Sequence, residues 1–199
     1  MKPRWIRSAL LPAALFAPGF AQAHVGAHPH THLHGLAEGL IHPFTGLDHL
    51  LAMVAVGLWA ASLGGRARWM APASFVGMMA LGAIGARFGL APPTYEPAIA
   101  VSVIALGLLV AFQVKAPAFA AATLVGLFAL AHGFAHGAEV ANDAAFVSYA
   151  LGFAAATAFL HAIGLTFGAL GLRGGFASLT MQAAGLSTAA AGVCLATFA

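Results

Sequence analysis

Pro43-Phe44-Thr45-Gly46-Leu47-Asp48-His49-Leu50-Leu51-Ala52-Met53-Val54-Ala55-Val56-Gly57-Leu58-Trp59-Ala60-Ala61-Ser62-Leu63 is the stretch on which the fold turns. Apart from Asp48 and His49 it carries no charge, and it has about the 20 residues that cross a bilayer as a helix. It stops at Gly64-Gly65-Arg66-Ala67-Arg68, where glycine and charge return. Five further apolar blocks follow, at 69–86, 98–114, 118–136, 144–170 and from 176 to the C-terminus. They are separated by short stretches rich in proline, glycine or charge, such as Pro92-Pro93 and Lys115-Ala116-Pro117. Each block is continuously apolar rather than alternating, so helices and not a transmembrane barrel are expected. The predicted fold is all-α: a polytopic membrane protein whose 42–199 region is a bundle of six transmembrane helices.

Composition agrees. Of 199 residues, 61% are hydrophobic and 7% charged, against about 25% charged in soluble domains. A soluble enzyme, a nucleic-acid binder and a disordered chain are excluded. A single cysteine, Cys194, rules out an intramolecular disulfide framework and a cysteine-rich zinc site. Glycine is abundant, and Gly77, Gly82 and Gly85 in the second block, like Gly164, Gly168 and Gly171 in the fifth, are spaced for close helix packing.

Lys2, Arg4 and Arg7 precede a short apolar run that ends at Ala21-Gln22-Ala23. This pattern predicts a signal peptide over 1–23, so that the mature chain begins at His24. Residues 24–41 are then a histidine-rich periplasmic segment. With the mature N-terminus outside, the cytoplasmic loops hold Arg66, Arg68, Lys115 and Arg173, and the outer loops hold only Arg87. That asymmetry satisfies the positive-inside rule.

On this topology nine of the ten histidines gather on the outer side. His42 and His49 lie seven residues apart. Pro43 suits the first turn of a helix, which would put both histidines on one helix face two turns apart. Asp48 beside His49 is a carboxylate that must face a partner or a wet cavity. In the fourth block, His132 and His136 share a face at i, i+4, and Glu139 follows. Gly133 stands where a zinc protease would place its glutamate. His24 would offer its α-amino group and imidazole together, and His28, His30, His32 and His34 extend a metal-gathering tail. Glu96 is the acid of the loop before the third block, able to steer cations or complete a site. His161 lies alone in the fifth block and is expected to be a satisfied core histidine. Imidazole and carboxylate suit nickel, zinc and copper alike. The placement of the methionines and the near absence of thiolate argue against a Cu(I) carrier.

The block His42-Pro43-Phe44-Thr45-Gly46-Leu47-Asp48-His49, with His132-Gly133-Phe134-Ala135-His136-Gly137-Ala138-Glu139 in the fourth span, resembles the HupE/UreJ family over essentially the mature chain. The resemblance implies a membrane protein encoded beside hydrogenase or urease genes and acting as a nickel permease, in some members for cobalt. By position it implies that His42, Asp48, His49, His132, His136 and Glu139 handle the metal. It also implies residence in the bacterial inner membrane, hydrogenase or urease maturation proteins as partners, and Ni²⁺ or Co²⁺ as transported ion with no prosthetic group. The sequence contains no nucleotide-binding loop. The alternatives are an intramembrane zinc-dependent hydrolase and a non-transporting metal-binding accessory protein.

Overall fold

An apolar block in lipid must satisfy its backbone internally, and the helix does so within one segment. The computed structural model describes residues 35–139, 143–172 and 177–198, and among these it contains seven helices and no strand. They are α1 (Leu36–Thr45), α2 (Leu47–Leu63), α3 (Ala67–Arg87), α4 (Tyr95–Ala111), α5 (Ala118–Glu139), α6 (Asp143–Gly171) and α7 (Ala177–Phe198). The expected signal peptide, His24 and the remaining tail histidines lie outside the described residues.

By length and composition α3, α5, α6 over Ala145–Gly171 and α7 over Leu179–Thr197 can cross a membrane. Helices α1 and α2 qualify as a pair, bent by 85° at their junction. Helix α4 has 17 residues, about 25 Å at 1.5 Å per residue, short of the ~30 Å hydrocarbon core. Four helices, or five with the bent pair, therefore meet the criterion directly.

The first block departs from the expectation in one instructive way. The helix does not begin at Pro43: α1 already runs from Leu36, and Pro43 lies buried inside it near its end. The chain breaks at Gly46, which is extended (φ −94°, ψ 116°), and α2 starts afresh at Leu47. His42 and His49 thus belong to two helices rather than to one face of a single helix. A proline seven residues into a helix removes one backbone bond and crowds the preceding turn, and at Gly46, three residues later, a Cβ would crowd Asp48 Oδ1.

Packing pairs α3 with α5, α4 with α7, and both α1 and α2 with α6. Two close approaches set the site. Gly39 and Gly152 bring α1 onto α6: a Cβ on Gly39 would run into the Tyr149 carbonyl, and one on Gly152 into the Leu36 carbonyl. Gly133 and Gly137 do the same for α5 against Met79 and Ala83 of α3. Of the glycines expected at interfaces, Gly82, Gly85, Gly164 and Gly168 are there, whereas Gly171 makes only ordinary contact with Thr180 and Met181 and Gly77 faces open space.

The interior is built largely of alanine, with Ala52, Ala55, Ala60, Ala71, Ala121 and Ala129 buried. Trp59, Phe75, Leu106 and Leu160 are buried among them, while many other large apolar side chains point outward, as with Leu151 (62% exposed) and Phe167 (65% exposed). Small residues inside and many large ones outside suit lipid, where helices associate by close packing rather than by hiding apolar area. At the end of the bundle that carries Arg66 and Arg68, Trp59 Nε1–H donates to the Val114 carbonyl (2.8 Å) and Lys115 Nζ to the Ser62 carbonyl (2.6 Å). These bonds tie the ends of α2 and α4 together.

Candidate metal centre

The end opposite Arg66 and Arg68 gathers the polar residues. The break at Gly46 turns α1 across the top of α2, so His42 faces His49 instead of lying above it. Helix α5 brings His132 and His136 to the same place. Ring centroids lie 6.0 Å apart for His42 and His49, 4.9 Å for His42 and His136, and 4.3 Å for His49 and His136. One ligand nitrogen from each of these three histidines falls within 4.8 Å of the other two. His49 and His136 are buried and His42 is half-buried, so the cluster opens toward the end of the bundle through His42.

Asp48 sits behind His49. Its Oδ1 accepts the His49 backbone N–H (2.8 Å) and touches the ring Nδ1 at 2.7 Å. An anionic oxygen and a nitrogen lone pair would repel at that distance, so Nδ1 carries the proton and Nε2 keeps its lone pair for a cation. This is the carboxylate–histidine arrangement that orients metal ligands and raises their basicity. The first turn of α2 supports it, because a helix N-terminus favours negative charge. A buried carboxylate, 5% exposed, is thereby tolerated where lipid alone would make it costly.

His132 lies one layer deeper, its ring 5.1 Å from that of His49. Ser102 Oγ donates to the Ile99 carbonyl (2.7 Å) and lies 3.0 Å from His132 Nε2. With its own hydrogen committed, Ser102 accepts from His132 Nε2–H, which leaves the lone pair on Nδ1. Glu139 reaches the mouth of the site, with Oε2 3.6 Å from His42 Nε2 and 3.4 Å from His136 Nδ1.

Of the residues predicted from sequence, His42, Asp48, His49, His132, His136 and Glu139 converge. Glu96 does not join them: it is exposed in the first turn of α4 and makes no hydrogen bond or ion pair among the described residues. His161 is buried as expected but not satisfied, since neither ring nitrogen has a hydrogen-bond partner among the described residues. Sequence reasoning missed Ser102, because a serine in an apolar helix carries no motif. It also missed Tyr149 and Phe153, one helical turn apart on α6, whose rings pack on His42, Phe153 also lying 4.1 Å from His136. Beside His136, a cavity of about 40 Å³ is walled by Met79, Ala83, Tyr149 and Phe153, room for about one water molecule.

Three imidazoles with a carboxylate behind one of them make a donor set for a divalent transition-metal ion. The comparisons with known proteins point the same way. The model of the HupE / UreJ protein family matches residues 12–195. The curated "Protein HupE" of Rhizobium leguminosarum bv. viciae is 48% identical over 184 residues, covering 92% of this chain and 93% of that protein. No solved structure matches. The converging histidines thus belong to a chain that is itself a member of the HupE/UreJ family.

Proposed function

We propose that this protein carries a divalent transition-metal ion, nickel with cobalt as an alternative cargo, across the bacterial inner membrane, supplying hydrogenase or urease maturation. The observation that carries the reading is the trio His42, His49 and His136, whose ligand nitrogens lie within 4.8 Å of one another at one end of a helical bundle. A resident structural metal would be expected in a closed set of four ligands; three imidazoles with a half-buried member suit an ion that arrives and leaves. Nickel itself follows from the family, since imidazole donors also suit zinc and copper.

On this reading the bent α1–α2 pair is one span and α4 a short one, which makes six. Residues 1–23 are a signal peptide, the mature N-terminus is periplasmic, and the His42 end faces the periplasm. The remaining tail histidines gather ions without forming the pathway. The protein acts as a carrier and not as an enzyme, and the ion is cargo rather than a prosthetic group.

The test is initial Ni²⁺ uptake by proteoliposomes that contain this protein alone, with His49→Ala and His136→Ala as comparisons. Uptake by the parent and its loss in both variants, at equal insertion, is the expected result. Turnover of a lipid substrate without ion flux would replace the carrier with a metallohydrolase. Tight binding without flux would make it an accessory protein.

A further inference from the structure

The histidines form a file rather than a cluster alone. From His42 the rings pass to His136 (4.9 Å), His49 (4.3 Å from His136) and His132 (5.1 Å from His49). The next ring is Phe75, 5.5 Å from His132, and beyond it stands His161, 5.1 Å from Phe75. Phe75 is fully buried and separates His161 from the histidines of the mouth. The His161 carbonyl lies against Gly57, eight residues and about 12 Å along α2 from His49. The file therefore reaches well into the bundle.

His161 is 1% exposed, and neither of its ring nitrogens finds a hydrogen-bond partner among the described residues. An imidazole in that state is worse for stability than an apolar side chain of similar size, so packing alone gives no reason for a histidine here. A hydroxyl and a thioether stand one helical turn nearer the mouth than His161. Thr157 lies one turn earlier on the same helix face, fully buried, and its hydroxyl is 4.0 Å from Met79 Sδ. Met79 lies one turn from Phe75 on α3. Thr157 and Met79 thus meet one helical turn nearer the mouth than His161, and Met79 also walls the cavity beside His136.

We propose that His161 is a second and weaker station for the divalent ion, set beyond Phe75 from the three-histidine site. The proposal rests on the transport reading above and adds the next place the ion occupies. One imidazole binds less tightly than three imidazoles backed by a carboxylate. That ordering suits conduction, which needs sites weak enough to release what they accept.

The experiment has two arms. In the first, Co²⁺ bound at saturation is counted by equilibrium dialysis for purified His42→Ala/His136→Ala protein, with and without His161→Leu. Leucine fills the space without donating, so folding is preserved, and melting in detergent checks it. The expected result is one ion fewer when His161 is replaced; an unchanged count overturns the proposal. In the second arm, on the otherwise unaltered chain, His161→Leu should lower initial Ni²⁺ uptake by about tenfold or more, the low end of what losing metal-site groups costs. His161→Cys should retain transport and shift preference from Ni²⁺ toward Cd²⁺, because thiolate selects softer ions. Uptake by His161→Leu equal to that of the parent overturns the station, since a packing role alone would leave ion preference unmoved. If the parent moves no ion, the transport reading fails by itself. The dialysis arm then still decides whether His161 is a ligand.

Discussion

Replacing Asp48 by asparagine isolates what its charge does. The two side chains have nearly the same shape, so the close packing around residue 48, which is 5% exposed, is kept. Oδ1 can still accept the His49 backbone N–H, now 2.8 Å away, and face Nδ1–H, now 2.7 Å away. Both contacts change from charge-assisted to neutral. Hydrogen bonds to charged groups contribute about 1.5–3 kcal/mol and neutral ones about 0.5–1.5 kcal/mol, so the bond that polarises the imidazole weakens by roughly 1–1.5 kcal/mol. That corresponds to a loss of affinity of about five- to twelvefold on its own, at about 1.4 kcal/mol per tenfold. The lost attraction between a carboxylate and a divalent cation adds to it. The total falls in the range of about 10–100-fold that removing a carboxylate behind a ligating histidine costs. The assay pairs the apparent Kd for Ni²⁺ with initial uptake, both normalised to inserted protein. Melting of the metal-free variant checks that the fold is kept, while stabilisation by added Ni²⁺ shrinks with affinity. Unchanged Kd and uptake in Asp48→Asn would refute the coupling of Asp48 to the metal through His49.

Three further outcomes are expected. Ser102→Ala removes the acceptor that holds His132 Nε2–H and should weaken Ni²⁺ binding by about tenfold; an unaltered affinity would place His132 outside the metal's reach. Gly39→Val puts side-chain atoms into the Tyr149 carbonyl, an overpacking cost of about 1–3 kcal/mol, and should lift α1 from α6 and lose metal binding with helical content retained. Gly77→Ala, facing open space, should be neutral or stabilising by up to about 1 kcal/mol, and equal damage from both, read as unfolding midpoints, would refute the close-approach argument. Reporter fusions after Arg68 and Lys115 should report cytoplasm and those near Pro93 and Asn142 periplasm; a cytoplasmic signal at Asn142 would turn the site to the other face.

The helical class was legible from residue type, because a continuous apolar run has one way to satisfy its backbone in lipid. Five of the predicted blocks recur as α3 to α7 within a few residues. The convergence of His49 with His136 was legible too: alternating spans return distant segments to the same depth, and i, i+4 spacing puts His132 and His136 on one face. What the sequence left open was direction in space. Pro43 marks a helix start as readily as an interior kink, and only the close approach of α1 to α6 at Gly39 and Gly152 shows that a helix precedes it. The 85° turn that follows moves His42 from above His49 to beside it, with Gly46 leaving the helix where a Cβ would crowd Asp48 Oδ1. Tertiary structure also decided that Asp48 backs His49, that Ser102 orients His132, and that Glu96 stands apart. Each of these depends on which helix faces which. That is set by where small residues let backbones approach, a sum over many contacts that no single motif encodes. His161 shows the limit most plainly: its sequence neighbours are those of any apolar span, and only the ring of Phe75 between it and His132 places it in line with the metal site.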